Sequence, residues 1–324
     1  MHWRKAAYLL LAVAALLWSP LARAQDWSDV EAQDLRLARV AEQIMQANAG
    51  LCRQTMPLTG LVLHSADQYS DPATTGRFTS GPLAVSAIVP GSPAERAGLR
   101  RDDAIIAING LNVSEFEVAA DGHQRETAFE LLAGSSPARA VTILASRGGE
   151  VSSYAFSPPR GCRALVEILL GDDSNARSDG RVIQIQFDFA RSLTDDELAV
   201  AFAHELAHVV LEHRRRKTEA GIDNSTLFAQ LGRNQRANRQ GETEADRLSV
   251  HLLANAGYDP QIVVRFWRSA AGERANGSMP SFIYPSTEGR AALVEQEIAR
   301  FLPLGRGPSW PGHLLEWRDR GFAD

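Results

Sequence analysis

Two cysteines in 324 residues allow at most one internal disulfide, and neither follows the N-terminal apolar run, so a lipid-anchored form is not expected. Long hydrophobic runs are also missing. Ala6 to Trp18 is thirteen residues, short of the roughly twenty that a membrane-spanning helix requires. Positive charge is not in excess: 34 Lys and Arg stand against 39 Asp and Glu, for a net charge of −5. A general nucleic-acid binder, which carries a basic footprint, is disfavoured. The one basic cluster, Arg214-Arg215-Arg216-Lys217, follows a predicted helix and reads as a solvated helix end, where cations complement the carbonyl dipole.

What the sequence does contain begins with Arg4 and Lys5, the apolar run, and Ala22-Arg23-Ala24. That order predicts a signal peptide over residues 1–24, the alternative being an uncleaved anchor. Its removal moves the net charge to −8. The expected location is the periplasm, with no transmembrane segment in the mature chain. An oxidising compartment predicts a Cys52–Cys162 disulfide rather than two buried thiols.

Leu37, Val40, Ala41 and Ile44 recur at helical spacing and predict a helix ending near Gly50. Residues 66–82 read as a polar loop. In RVIQIQFDF, residues 181–189, Ile183, Ile185, Phe187 and Phe189 alternate with polar side chains, predicting a half-buried strand over 182–189. Thr194 with Glu197 makes a capping box for a helix running through AFAHELAHVVLEH, residues 201–213. A second helix is expected to start near Glu242 and stop at Gly257. Residues 214–240 between the two are polar and poorly periodic.

His204 and His208, four apart on a helix, project from one face and suit two positions on a tetrahedral Zn²⁺. Glu205 stands beside that face, within reach of a catalytic water. A third ligand is required. The HExxHxxGxxH solution fails, because Leu211 and Arg214 occupy its Gly and third His positions. His213 falls one position short and is expected to pack or hydrogen-bond near the helix end. In GETEADRLSV, Glu242 and Asp246 share a helical face, as a ligating carboxylate and one that orients a ligating His would. Glu244 should point elsewhere. His64, His123, His251 and His313 read as isolated.

HELAH, ETEADR, and the lead-in NARSDGRVIQI together resemble the zinc metallopeptidase family of the CAAX prenyl protease, HtpX and BepA. The resemblance implies a gluzincin with one Zn²⁺ per chain on His204, His208 and Glu242, with Asp246 behind them and Glu205 as general base. It also implies that the strand at 182–189 aligns substrate. Family members often carry His before Pro-Ser late in the chain; here FIYPSTEGR places Tyr284 there. A phenol can donate to a developing oxyanion, or Tyr284 is a packed aromatic. Arg290 follows in the family's usual relation to this motif.

Residues 83–149, with VPGSPAERAGLRRDDAIIAING and VTILASRGGE, resemble a PDZ domain, although Asp102 stands where such domains usually have Gly. This implies binding of polypeptides, possible by their C-termini, with Leu58, Thr59, Gly60 and Leu61 as the carboxylate loop and the helix near 128–132 closing the groove. A rigid spacer is the alternative. The expected fold is α+β: a mainly helical metallopeptidase domain with a small edge sheet, interrupted by a β-rich module. Its divisions are 1–24 signal, 25–54 N-terminal helix, 55–161 inserted PDZ domain and 162–324 catalytic domain. The expected function is a metalloendopeptidase acting on envelope polypeptides, its PDZ domain recruiting or gating substrate. The alternative is an inactive adaptor or chaperone on the same scaffold.

Overall fold

A computed structural model describes residues 27–70, 72–120, 122–170, 176–222, 232–276, 285–302 and 308–322. The predicted signal peptide and Tyr284 lie outside them. The architecture is α+β, with two separate hydrophobic cores.

The first described element is helix α1 (Trp27–Ala47). Leu37, Ala41, Ile44 and Met45 bury one stripe of it in the larger core. Strand β1 (Thr55–Pro57) then pairs antiparallel with β8 (Arg160–Cys162). Thr55 lies opposite Cys162 in this two-stranded neck. The Cys52–Cys162 disulfide crosses beside it, with the two Cα atoms 5.4 Å apart. Gly161 is required here by close approach: a Cβ on it would lie 2.5 Å from Leu58 Cδ1.

Between the neck strands lies a sheet in the order β2-β3-β4-β6-β7, with β5 on β4. Its strands are β2 (Leu61–Ser65), β3 (Leu83–Ile88), β4 (Ala104–Ile108), β5 (Leu111–Asn112), β6 (Val141–Arg147) and β7 (Glu150–Phe156). Short helices α2 (Pro72–Thr75) and α3 (Pro93–Ala97) and the longer α4 (Gln124–Ala133) connect them. Val85, Ile105, Ile108, Ile143 and Leu132 form the smaller core. Asp102 adopts φ +65°, the left-handed conformation a glycine would take without strain, so the departure at this position is absorbed by the backbone.

After the neck come β9 (Leu165–Leu169), β10 (Ala176–Ser178) and β11 (Val182–Gln186), in the order β10-β11-β9. Helices α5 (Phe187–Ser192), α6 (Asp195–Val210), α7 (His213–Glu219), α8 (Gly232–Asn255), α9 (Gln261–Trp267), α10 (Ala270–Asn276), α11 (Thr287–Phe301) and α12 (Gly312–Leu315) complete the fold. The expected capping box is present: Thr194 Oγ1 accepts from Glu197 N–H, and the Glu197 carboxylate accepts from Thr194 N–H. No helix among the described residues is long and apolar enough to cross a membrane.

Three sequence expectations need correcting. The strand ends at Gln186, and Phe187 and Phe189 sit in α5, both buried; the alternating pattern continues while the backbone has already become helical. Helix α8 starts at Gly232 rather than near Glu242, so Glu242 is mid-helix. Finally, α6 stops at Val210 instead of continuing through His213. Glu212, at φ +53°, breaks the helix, and α7 starts afresh.

Candidate metal centre

Helices α6 and α8 pack against each other and bring His204, His208 and Glu242 to one point. The two Nε2 atoms are 3.1 Å apart. Glu242 Oε2 lies 3.2 Å from His204 Nε2, and Oε1 lies 3.6 Å from His208 Nε2. Ligand atoms around a tetrahedral Zn²⁺ are separated by about 3.3 Å, so the spacing fits such a cation. The charges fit too. Burial holds His208 well below the ordinary imidazole range, in the neutral form a metal requires. His204 differs: burial opposes its charge, but Asp246 and Glu242 outweigh that and raise its pKa.

Each imidazole is held from behind. His204 Nδ1 lies 3.1 Å from Asp246 Oδ1. Asp246, fully buried, receives two 2.7 Å hydrogen bonds from Arg290, through Nε and Nη2. The guanidinium also lies 3.6 Å from the Trp267 ring centroid. Arg290 therefore fixes the carboxylate that orients His204, a role the sequence left open. An Arg late in the chain beside the family motif was the only signal for it.

His208 reaches a carboxylate through an intermediary. Its Nδ1 is 2.7 Å from His213 Nδ1, and His213 Nε2 is 3.0 Å from Glu244 Oε2. Glu244 is further held by Arg216 Nη1 at 2.5 Å and Gln240 Nε2 at 2.7 Å. With His208 Nε2 turned to a metal, its Nδ1–H donates to His213, whose Nε2–H donates to Glu244. The break at Glu212 makes this possible: five residues along an uninterrupted helix lie on a different face. Arg216, 1% exposed, corrects the reading of its cluster as wholly solvated. Arg214 and Arg215 do remain largely exposed.

Glu205 lines the same cleft as the three convergent groups, with Lys217, Trp267 and the β10 residues Ala176 to Ser178. The cleft has a volume of about 470 Å³, within the range of ligand sites. Burial pushes the Glu205 carboxyl up to about 7 and pulls the Lys217 ammonium down. A buried carboxyl near neutrality can both accept and return a proton at ordinary pH. The strand expected to align substrate cannot add another: β11 is already paired with β10 on one side and β9 on the other. The β10 residues, rather than β11, border the cleft.

Elsewhere, the four-residue carboxylate loop loses one member. Leu58 is 1% exposed in the larger core and its N–H donates to Pro159 O, so it has nothing to offer a peptide. Thr59 and Leu61 line a pocket together with Glu42, whose carboxylate accepts from the Gly60 N–H. His251 and His313 are not isolated. Their Nε2 atoms lie 3.0 and 2.7 Å from Glu297 Oε1, and Arg247 Nε donates to Oε2 at 2.6 Å. These histidines come from segments far apart in sequence from Glu297 or on a different helix, which spacing could not reveal.

Comparison with known proteins gives two family matches: residues 84–145 to PDZ domain and residues 165–298 to Peptidase family M48. A Vibrio cholerae serotype O1 protein named "Putative beta-barrel assembly-enhancing protease" is 27% identical over 160 residues, covering 40% of this chain and 33% of its own. The Escherichia coli O157:H7 beta-barrel assembly-enhancing protease is 25% identical over 187 residues, covering 48% and 38%. The matched region thus spans 33% and 38% of the two relatives' lengths.

Proposed function

We propose that this chain, whose residues 165–298 match Peptidase family M48, is a zinc-dependent metalloendopeptidase. The observation that carries the reading is the convergence of His204, His208 and Glu242 beside the buried carboxyl of Glu205. One Zn²⁺ held by those three residues would supply a Lewis acid that polarises the scissile carbonyl and acidifies water. The chain's own residues do the rest. Glu205 takes the proton of the attacking water and returns it to the leaving amine. Asp246 and Arg290 hold His204, while His213 and Glu244 hold His208. Tyr284 donates to the developing oxyanion.

Residues 55–161 are proposed as an inserted PDZ-containing module, between an N-terminal helix (25–54) and the catalytic domain (162–324), behind a signal peptide over 1–24. Its role is to recruit or gate polypeptide substrates by their C-termini. The signal-peptide pattern of residues 1–24 and likeness to the two beta-barrel assembly-enhancing proteases support a periplasmic location and envelope polypeptides as substrates.

Digestion of an unstructured protein such as casein tests the chemistry. Wild type should cleave, and Glu205→Gln should lose at least about a thousandfold in rate while retaining zinc. Equal cleavage by both would remove Glu205 from the mechanism. No cleavage by zinc-loaded wild type would favour an adaptor.

A further inference from the structure

The groove of the PDZ module is packed against the peptidase half. Strand β2 is the edge of its sheet, paired only with β3 among the described strands, and α4 lies across from it. Leu61, Leu63 and Phe129 line one wall of the space between them; Met45 of α1 and Val166 of β9 line the opposite wall. The remaining cavity is about 90 Å³, room for a few waters but not for a peptide strand. Arg125 pairs with Glu167, and Arg163 and Arg181 pair with Glu130, joining α4 to the peptidase half on both sides of this space.

The loop before β2 requires a glycine at position 60. Gly60 takes φ +79°, and a Cβ on it would lie 2.0 Å from Ser92 Cβ, so no other residue fits. The Gly60 N–H points into the groove, and there it donates to Glu42 Oε1 of α1 at 2.8 Å. The next amide, Leu61 N–H, donates to Thr59 Oγ1 at 3.2 Å. Both amides that a terminal carboxylate would seek are already taken, the first by a carboxylate.

We propose that Glu42 is an internal stand-in for a peptide C-terminus: it occupies the carboxylate loop of the PDZ module and must be displaced before a polypeptide tail can bind. The inference rests on reading that module as a peptide-binding one. Two features make the stand-in displaceable. Burial pushes the Glu42 carboxyl up to about 7, so it holds its charge less firmly than a terminal carboxylate, whose pKa is about 3.5. It also offers one hydrogen bond and no strand, whereas an incoming tail can add backbone pairing along β2. Binding of a tail therefore separates the module from α1 and β9 by competition for the same surface.

The test compares full-length wild type, Glu42→Ala and Glu42→Gln for binding of a fluorescent hexapeptide ending in Val, as the free acid and as the C-terminal amide. Glu42→Ala should bind the acid about tenfold more tightly than wild type, with Glu42→Gln between them. The amide should bind weakly to all three. Exchange of the Gly60 amide should quicken in unliganded Glu42→Ala, giving a readout independent of peptide choice. Equal affinity of all three chains for the acid would overturn the competition and leave the module a peptide binder. Binding of the acid by none of them, with the variants folded, would overturn the proposal by removing peptide recognition itself. Unchanged Gly60 exchange would overturn the contact.

Discussion

Replacing His213 with Ala should weaken zinc binding without touching a ligand. In the folded chain His213 bridges His208 Nδ1, 2.7 Å away, and Glu244, 3.0 Å away. Its removal leaves the Nδ1–H of His208 buried without an acceptor, and a lost buried partner costs about 1–3 kcal/mol. Glu244 is not orphaned, because Arg216 and Gln240 still hold it. The damage therefore falls on the orientation of His208. Disrupting a group that orients a metal-bound His typically reduces affinity about 10–100-fold, or about 1.4–2.8 kcal/mol. The two routes give the same range. Competition against a chromophoric zinc chelator measures it directly, with melting in EDTA as the control for general loss of fold. His213→Gln, which keeps an acceptor at the site, should recover part of the affinity. A folded His213→Ala chain that binds zinc as tightly as wild type would refute the bridge.

Asp246→Asn keeps the shape but removes the closer of the two carboxylates on the buried Arg290 guanidinium, leaving only Glu242 Oε2 at 3.4 Å. A loss of about 3–5 kcal/mol is expected in urea denaturation, together with weaker zinc binding. Reducing Cys52–Cys162, which are 110 residues apart, should destabilise by up to about 4–5 kcal/mol in the chain-entropy model. Thermal melting with and without reductant checks this, and an unchanged melt would show the neck holds without its bridge. Glu297 is buried, which raises its pKa, but His251, Arg247 and His313 outweigh burial and hold it at about 2. Its folded pKa is below the ordinary glutamate value of 4.5, so its contribution is present above pH 4.5 and is lost as pH falls toward 2. The full shift corresponds to about 3 kcal/mol, and urea melts of wild type and Glu297→Gln should converge over that window.

Legibility followed the range of the interaction. The shared face of His204 and His208, the capping box at Thr194 and the Glu242–Asp246 spacing were all readable, because helical periodicity places residues four apart on one face wherever the helix lies. The disulfide was readable from compartment and count alone. His213 shows where local reading stops. Its approach to His208 depends on a single left-handed residue, Glu212, for which the sequence carries no glycine or other strong marker. The β11 strand shows the same limit, since its pattern of alternation does not say which neighbours will occupy its edges.

The sequence by itself determined which side chains could bind a metal, which could move a proton, and which segment takes a PDZ-like form. Only the tertiary structure decided that Arg290 backs Asp246, that His251 and His313 share Glu297, and that Glu42 meets Gly60. The reason is physical. Spacing along a helix or strand is set by backbone geometry that neighbouring residues share, whereas a buried polar contact between distant segments exists only once packing has brought both groups out of water and left each needing the other.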